Sequence, residues 1–360
     1  MVKKMGFRSY LVKRIGIAII MLFLVLSINY ALFFIMPGDP ASLFINPIRG
    51  TQAGRVEFLN SLRARWGFDR PPEQRFLLYL KNMLSWSFGD SLISGQSISS
   101  EMFLRLWWTI ELMGGSTILG ILIGVALGVL VAYKRGGKFD SGIVTVSLIT
   151  YSLPVFWLGL VLILIFSVNL GWFQSAGAFP YDWGLPGRWP EAYTVSAASG
   201  AQWNGSVVMS VNPQGTIALL TGYIRHLMLP LTTLTLFSYG GYLLLTRATM
   251  IEALTEDYIS TARAKGVPER SVIFRHALKN ASLPLITSAA LAFGFMLSGA
   301  IITEGVFSWP GMGRWIFQAI SYNDYSVLQA IFYTIAVLVI IANIIADILY
   351  GIIDPRIKYG

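Results

Sequence analysis

The chain has 360 residues, 55% of them hydrophobic and only 12% charged, with a mean hydropathy of +0.62. Soluble domains carry about 25% charged residues, so the composition excludes an ordinary soluble protein and indicates an integral membrane protein. Cysteine is absent, which excludes disulfides and thiolate chemistry, and the net charge of +9 sits beside apolar segments with no aromatic-interleaved basic stripe, which speaks against nucleic acid.

A membrane-spanning helix needs about 20 mostly apolar residues. In chain order, the stretches that qualify are Ile15–Met36, Leu112–Tyr133, Gly142–Val168, His226–Thr246, Pro284–Thr303 and Val327–Ala346, each free of charged side chains. These predict an all-α integral membrane protein with six spans. The first apolar run is too long for a signal-peptide core and no A-x-A site follows it, so it is read as an uncleaved helix. Orientation follows from Lys and Arg in the short loops. Lys3, Lys4, Arg8, Lys13 and Arg14 precede the first span, Lys134, Arg135 and Lys138 follow the second, and Arg356 and Lys358 follow the sixth. The opposite loops, Leu170–Arg225 and Gly305–Tyr325, contain Arg188, Arg225 and Arg314 alone. Both termini are therefore expected in the cytoplasm. The expected organisation is 1–36 as N-terminal cytoplasmic segment and first span, 37–107 as an extracytoplasmic segment, and 108–360 as a five-helix core with a cytoplasmic loop at 252–283.

That loop is patterned beyond what orientation requires. Glu252, Glu256, Asp257 and Glu269 accompany its bases, although acids contribute little to orientation. "IEALTEDYISTARAK" carries good helix formers up to a glycine, and Gly266 suits a left-handed C-terminal position. Pro268 suits the first position of a second helix, with Glu269 in its favourable first turn. The spacing places Ile273, Phe274, Ala277 and Leu278 on one side of it, leaving Arg270, Arg275 and Lys279 for cationic contacts. Two uses fit the pattern. One is anchoring on the membrane surface, and the other is transmission of force from a soluble partner into the bilayer.

The segment Asp257–Pro284, "DY…TARAKG…RHALKNASLP", resembles the cytoplasmic loop of permease subunits of ATP-binding-cassette importers, in the dipeptide/oligopeptide branch. The generic family loop reads E-A-A-x3-G-x9-I-x-L-P. Here Ser260, Thr261 and Ala262 stand in place of E-A-A, and His276 and Lys279 in place of the isoleucine and proline, as in the peptide-type branch. The resemblance extends over nearly the whole chain. It includes "MPGDP" at Met36–Pro40, "GFDRPPEQRFLLYL", "SFGDS", "EGVFSWPGMGRW" at Glu304–Trp315, "NDYSVLQA" and "DPRIKY".

What the resemblance implies is a type I importer permease fold forming half of a translocation pathway. The pathway would be completed by a homologous but different permease chain. Two cytoplasmic ATPase subunits would carry ATP and Mg²⁺, no cofactor resting on this chain, and an extracytoplasmic binding protein would deliver the solute. The same resemblance assigns ATPase coupling to Tyr258, Thr261, Ala262, Gly266, Arg270, Phe274, Arg275, His276 and Asn280. It also assigns an external gate to the turn with Glu304, Trp309, Pro310 and Gly311. Peptides lead as solute, with oligosaccharides and nickel as alternatives.

Other readings of single residues stand beside these. Glu111, Glu304 and Asp347 lie at span edges, where capping or ion pairing is favoured over substrate contact. The aromatics of "VFSWPGMGRW" fit interfacial anchors as well as a gate. Residues 170–225 are long for a connection and fit a docking surface or a lid. Pro154 and Gly240-Gly241 are read as packing positions rather than kinks. Catalysis has little support: there is no H-E-x-x-H, G-x-S-x-G or G-x-x-x-x-G-K-[ST], and His226 and His276 fall on opposite faces. A passive channel would leave the 256–280 pattern unexplained.

Overall fold

The computed structural model describes residues 7–34, 70–91, 94–178, 213–296 and 300–353. The "MPGDP" and "DPRIKY" motifs, the Asp347 side chain and residues 179–212 lie outside the described residues. The described elements are α1 (Phe7–Phe34), α2 (Pro72–Leu84), α3 (Ile98–Tyr133), α4 (Lys138–Ser152), α5 (Val155–Leu162, continuing as π-helix through Ile163–Asn169) and α6 (Pro213–Leu254). They continue with α7 (Asp257–Ala264), α8 (Glu269–Ser271, continuing as π-helix through Val272–Ala277), α9 (Leu278–Met296), α10 (Ile301–Val306), α11 (Met312–Ser321) and α12 (Tyr325–Ile353). Every regular element among them is helical, as backbone in hydrocarbon must be unless it closes a barrel.

Four helices are long and apolar enough to cross a membrane among the described residues, at Val12–Phe33, Ile98–Tyr133, Leu220–Leu254 and Tyr325–Ile345. A fifth crossing is available if α4 and α5 are one broken span, for they meet at 103°. The break corrects the reading of Pro154 as a packing residue. With φ −58° and ψ 127° it leaves the helix and precedes Val155, because its ring forbids the bond that would carry α4 onward. The predicted fifth span, Pro284–Thr303, overlaps α9 as far as Met296, and α9 is not among the helices long and apolar enough to cross a membrane.

The principal helix pair is α3 against α6. Gly120, Gly124 and Gly128 recur every fourth residue on α3, and a Cβ at Gly124 would lie 2.6 Å from the Tyr239 carbonyl oxygen and 2.6 Å from Tyr242 Cβ. The helices approach so closely that only hydrogen fits between them, which is how membrane helices gain dispersion energy without a hydrophobic driving force. Gly240 does the same for α6 against α4, where a Cβ would stand 2.9 Å from the Ser147 carbonyl oxygen.

Beyond the membrane, α3 is longer than its apolar core. Its 36 residues span about 54 Å, against about 30 Å of hydrocarbon. The projecting first turns receive the segment before them: Ser94 bonds Glu101, Glu101 is ion-paired with Arg105 at 3.1 Å, and the Arg105 guanidinium lies 4.7 Å over the Trp315 ring. Ser91 donates to Asp324 at 2.8 Å, while the other oxygen of Asp324 accepts the Val327 N–H and caps α12. One apolar cluster, including Tyr30, Tyr79, Phe88, Trp315 and Tyr333, therefore joins α1, α2, α11 and α12.

Candidate functional site

The 256–280 loop is welded to the ends of two spans. Ile259 and Ala262 of α7 and Val272, Ile273 and Ala277 of the next helix are buried with Val129 and Ala132 from α3 and Met250 and Ala253 from α6. Gly266 has φ +73°, the left-handed conformation expected of it. The Gly266 N–H donates to the Arg263 carbonyl at 2.9 Å, and the Val267 N–H reaches back to the Ala262 carbonyl at 3.2 Å. These two bonds form a Schellman closure, and Val267 packs in the same cluster as Ala262. The next helix starts at Glu269 with Pro268 capping it, one residue later than expected.

Across the turn Arg263 clasps Glu269 through two bonds of 3.2 and 2.7 Å. Those bonds hold the Glu269 carboxyl below the usual carboxylate range. Behind the loop, Arg247 at the end of α6 grips Asp140 at the start of α4 through two bonds of 2.8 Å. The Arg247 bonds, and then the Gly136 N–H, hold the Asp140 carboxyl low as well.

The predicted coupling residues divide into three sets. Thr261, Gly266, Arg270, Phe274, Arg275 and Asn280 are exposed, Tyr258 and His276 are half-buried, and Ala262 is buried. Phe274 is 52% exposed, so it does not share a side with Ile273 and Ala277 as the helical spacing suggested. The π-helical winding explains this, because its bonds run i to i+5 and bring Val272 and Ala277 onto one face, turning Phe274 outward.

At the other end of the bundle the "EGVFSWPGMGRW" turn surrounds a buried carboxylate. Glu304 on α10 is fully buried; Thr109 of α3 donates to its Oε1 at 3.0 Å and the Arg314 N–H to its Oε2 at 3.0 Å. Thr109 in turn accepts the Met312 N–H at 2.8 Å. Two of the four orphan N–H groups that open α11 are thereby satisfied from neighbouring elements. Gly311 is required by contact, since a Cβ there would run into the Glu304 carboxylate and the Thr109 hydroxyl.

Trp309 is fully buried, donates to the Trp108 carbonyl at 3.0 Å and meets the Trp108 ring edge-on at 5.6 Å. It is an internal strut and not an interfacial anchor. Pro310 is buried beside it. The start of the 170–225 region folds against this turn, with Gly177 N–H donating to the Phe307 carbonyl at 2.8 Å. Among the described residues no three His, Cys, Asp or Glu side chains come together to hold a metal.

Thr109, Arg263 and the Asp140–Arg247 pair were not singled out from sequence. Arg263–Glu269 had a local signal in opposite charges flanking a turn, whereas Thr109–Glu304 and Asp140–Arg247 are separated by 195 and 107 positions and had none.

Residues 124–359 match the model of the binding-protein-dependent transport system inner membrane component family, and residues 7–97 match the N-terminal model of the same membrane component. The chain belongs to this family. It is 36% identical over 351 residues to a di/tripeptide transport system permease protein of Pseudomonas aeruginosa, covering 98% of this chain and 99% of that one. It is similarly 35% identical to an oligopeptide transport system permease protein of Bacillus subtilis and 33% to a dipeptide transport system permease protein of Escherichia coli, with the same coverage. This permease is therefore a multi-pass component of the inner membrane and a transport subunit of an ATP-binding-cassette importer rather than an enzyme. Systems of this family operate with a binding protein and an ATPase.

Proposed function

We propose that this permease forms one half of the translocation pathway of an importer for dipeptides or oligopeptides, and that the 256–280 loop is the handle through which cytoplasmic ATPases drive it. The observation that carries the reading is the shared apolar cluster of the loop with the ends of α3 and α6. A displacement of α7 and α8 must move both spans, because close-packed cores transmit displacement rather than absorb it. Six spans with both termini in the cytoplasm satisfy the charge distribution, α4 and α5 together forming the third. The division at 1–36, 37–107 and 108–360 follows from the same topology.

In this reading a homologous but different permease chain completes the pathway, and two ATPase subunits bind ATP and Mg²⁺. An extracytoplasmic binding protein delivers solute to the turn around Glu304, Trp309, Pro310 and Gly311, which serves as the external gate. ATP-driven closure of the motor rocks the spans as rigid bodies and alternates access. The peptide solute is supported by the names of the similar permeases.

Vesicles holding the complete complex test this. Uptake of a labelled dipeptide should require ATP and the binding protein, with no leak in their absence. ATP-independent flux would identify a channel, and ATP-dependent uptake of an oligosaccharide or nickel with no dipeptide uptake would overturn the solute.

A further inference from the structure

A cavity of about 360 Å³ opens at the loop end of the bundle, between the last turns of α6 and the first turns of α9, with Thr249, Glu252, Glu256, Tyr258, Asn280 and Pro284 in its lining. Its lining is rich in groups that accept hydrogen bonds or attract cations. Glu256 is the N-cap residue of α7, and Glu252 lies in the last turn of α6, at its C-terminal end. That end of a helix already carries partial negative charge and is normally matched by Lys or Arg. The Thr249 hydroxyl spends its hydrogen on the Leu245 and Thr246 carbonyls, leaving lone pairs. Pro284 stands inside α9 and has no N–H to give the Asn280 carbonyl one turn before it. The Tyr258 hydroxyl oxygen is buried without a partner.

No cation of the loop answers this concentration of acceptors. Among the described residues Lys265, Arg270, Arg275 and Lys279 form no ion pair, and the one pair within the loop, Arg263–Glu269, lies across the Gly266 turn. The loop thus presents unmatched charge of both signs: acids around the cavity, and Arg270 and Arg275 beside the exposed Phe274. An anionic lipid surface would attract the bases and repel the acids. A protein surface with complementary charges satisfies both.

We propose that this cavity is a socket for an Arg or Lys side chain of the docked ATPase subunit, an inference that rests on the coupling role given to the loop above. The cation neutralises Glu252 and Glu256, takes the Asn280 carbonyl and Tyr258 hydroxyl oxygens as further acceptors, and ties the motor to α6 and α9 at once. The socket complements the exposed cationic face and sets the register in which the motor seats.

The test uses the purified complex of the permease with its ATPase subunits. Glu252→Gln/Glu256→Gln keeps the shape and removes the charge; it should lower ATPase affinity roughly tenfold and flatten its dependence on ionic strength. Glu252→Gln alone should leave the melting temperature of the isolated permease unchanged or higher, because it removes a negative charge from the C-terminal end of α6. Lowered stability together with lost affinity would mark a merely structural role and overturn the socket. If Arg270→Glu/Arg275→Glu weakens docking while the Gln pair keeps wild-type affinity and salt dependence, the socket is wrong and the coupling role stands. If neither variant alters affinity, the coupling role itself fails. Should the double Gln variant not insert, Glu252→Gln alone is measured in the same way, and wild-type affinity in it overturns the proposal.

Discussion

Gly266 shows how a residue can be constrained by its backbone alone. A Cβ there would meet no atom within 4 Å, so the constraint is the backbone at φ +73° alone. A β-branched residue in that conformation costs about 1–2 kcal/mol, which strains the turn without unfolding the protein. Gly266→Val should therefore insert at wild-type levels while losing most ATP-dependent uptake, with ATP hydrolysis retained. Normal uptake would show that the turn does not carry the coupling. Glu304 has the opposite character, being wholly buried and fully engaged. Glu304→Ala leaves the Thr109 hydroxyl and the Arg314 N–H unsatisfied, at about 1–3 kcal/mol for each buried group. The variant should melt several degrees lower and expose the α10–α11 turn to protease. An unaltered melting temperature would mean that the turn is held by its aromatics alone.

Between elements, the decisive contact is the glycine face of α3 on α6. Since a side chain at Gly124 would overlap the Tyr239 carbonyl and Tyr242 Cβ, Gly124→Leu must separate the two helices. Overpacking of this kind costs about 1–3 kcal/mol, and here it also shifts the platform that carries the loop. Lower expression and a lower melting temperature are expected, and a wild-type melting curve would contradict the close approach. The Asp140–Arg247 pair is the electrostatic counterpart, fixing the start of the broken α4–α5 unit to the end of α6. Arg263–Glu269 is more exposed, and its value is geometric, because two bonds across a turn restrict the angle between α7 and α8.

For the whole molecule, the loop, α3 and α6 form one body on which a soluble motor can pull. Arg270 and Arg275 are exposed on that body and turned away from the membrane helices' apolar cluster. Arg270→Glu/Arg275→Glu should reduce co-purification of the ATPase at least tenfold in moderate salt while leaving insertion intact. An unchanged ratio of subunits would return the loop to the role of a surface anchor. At the other end of the bundle, Glu304, Trp309 and Gly311 tie the α10–α11 turn to the same helix α3. The loop and the α10–α11 turn are thus both packed on one continuous helix.

Much of this was legible from the residues. Apolar length marked the four helices long enough to cross a membrane and the broken α4–α5 pair, because hydrocarbon thickness demands it, and Gly266 announced a left-handed turn, because few other residues adopt one. Charge in the loops suggested which groups face water. The order of short motifs pointed to the family. Tertiary structure alone decided the rest. A helix period could not show that Phe274 turns outward, since the winding changes to π at Val272. Apolarity could not reveal that Pro154 breaks its span by 103°, because a proline in a membrane helix is compatible with a straight or a broken helix. Nor does any local pattern link Thr109 to Glu304 or Asp140 to Arg247. Sequence records what each residue can do with its neighbours in the chain, whereas a buried carboxylate finds its partners only when distant helices close upon it.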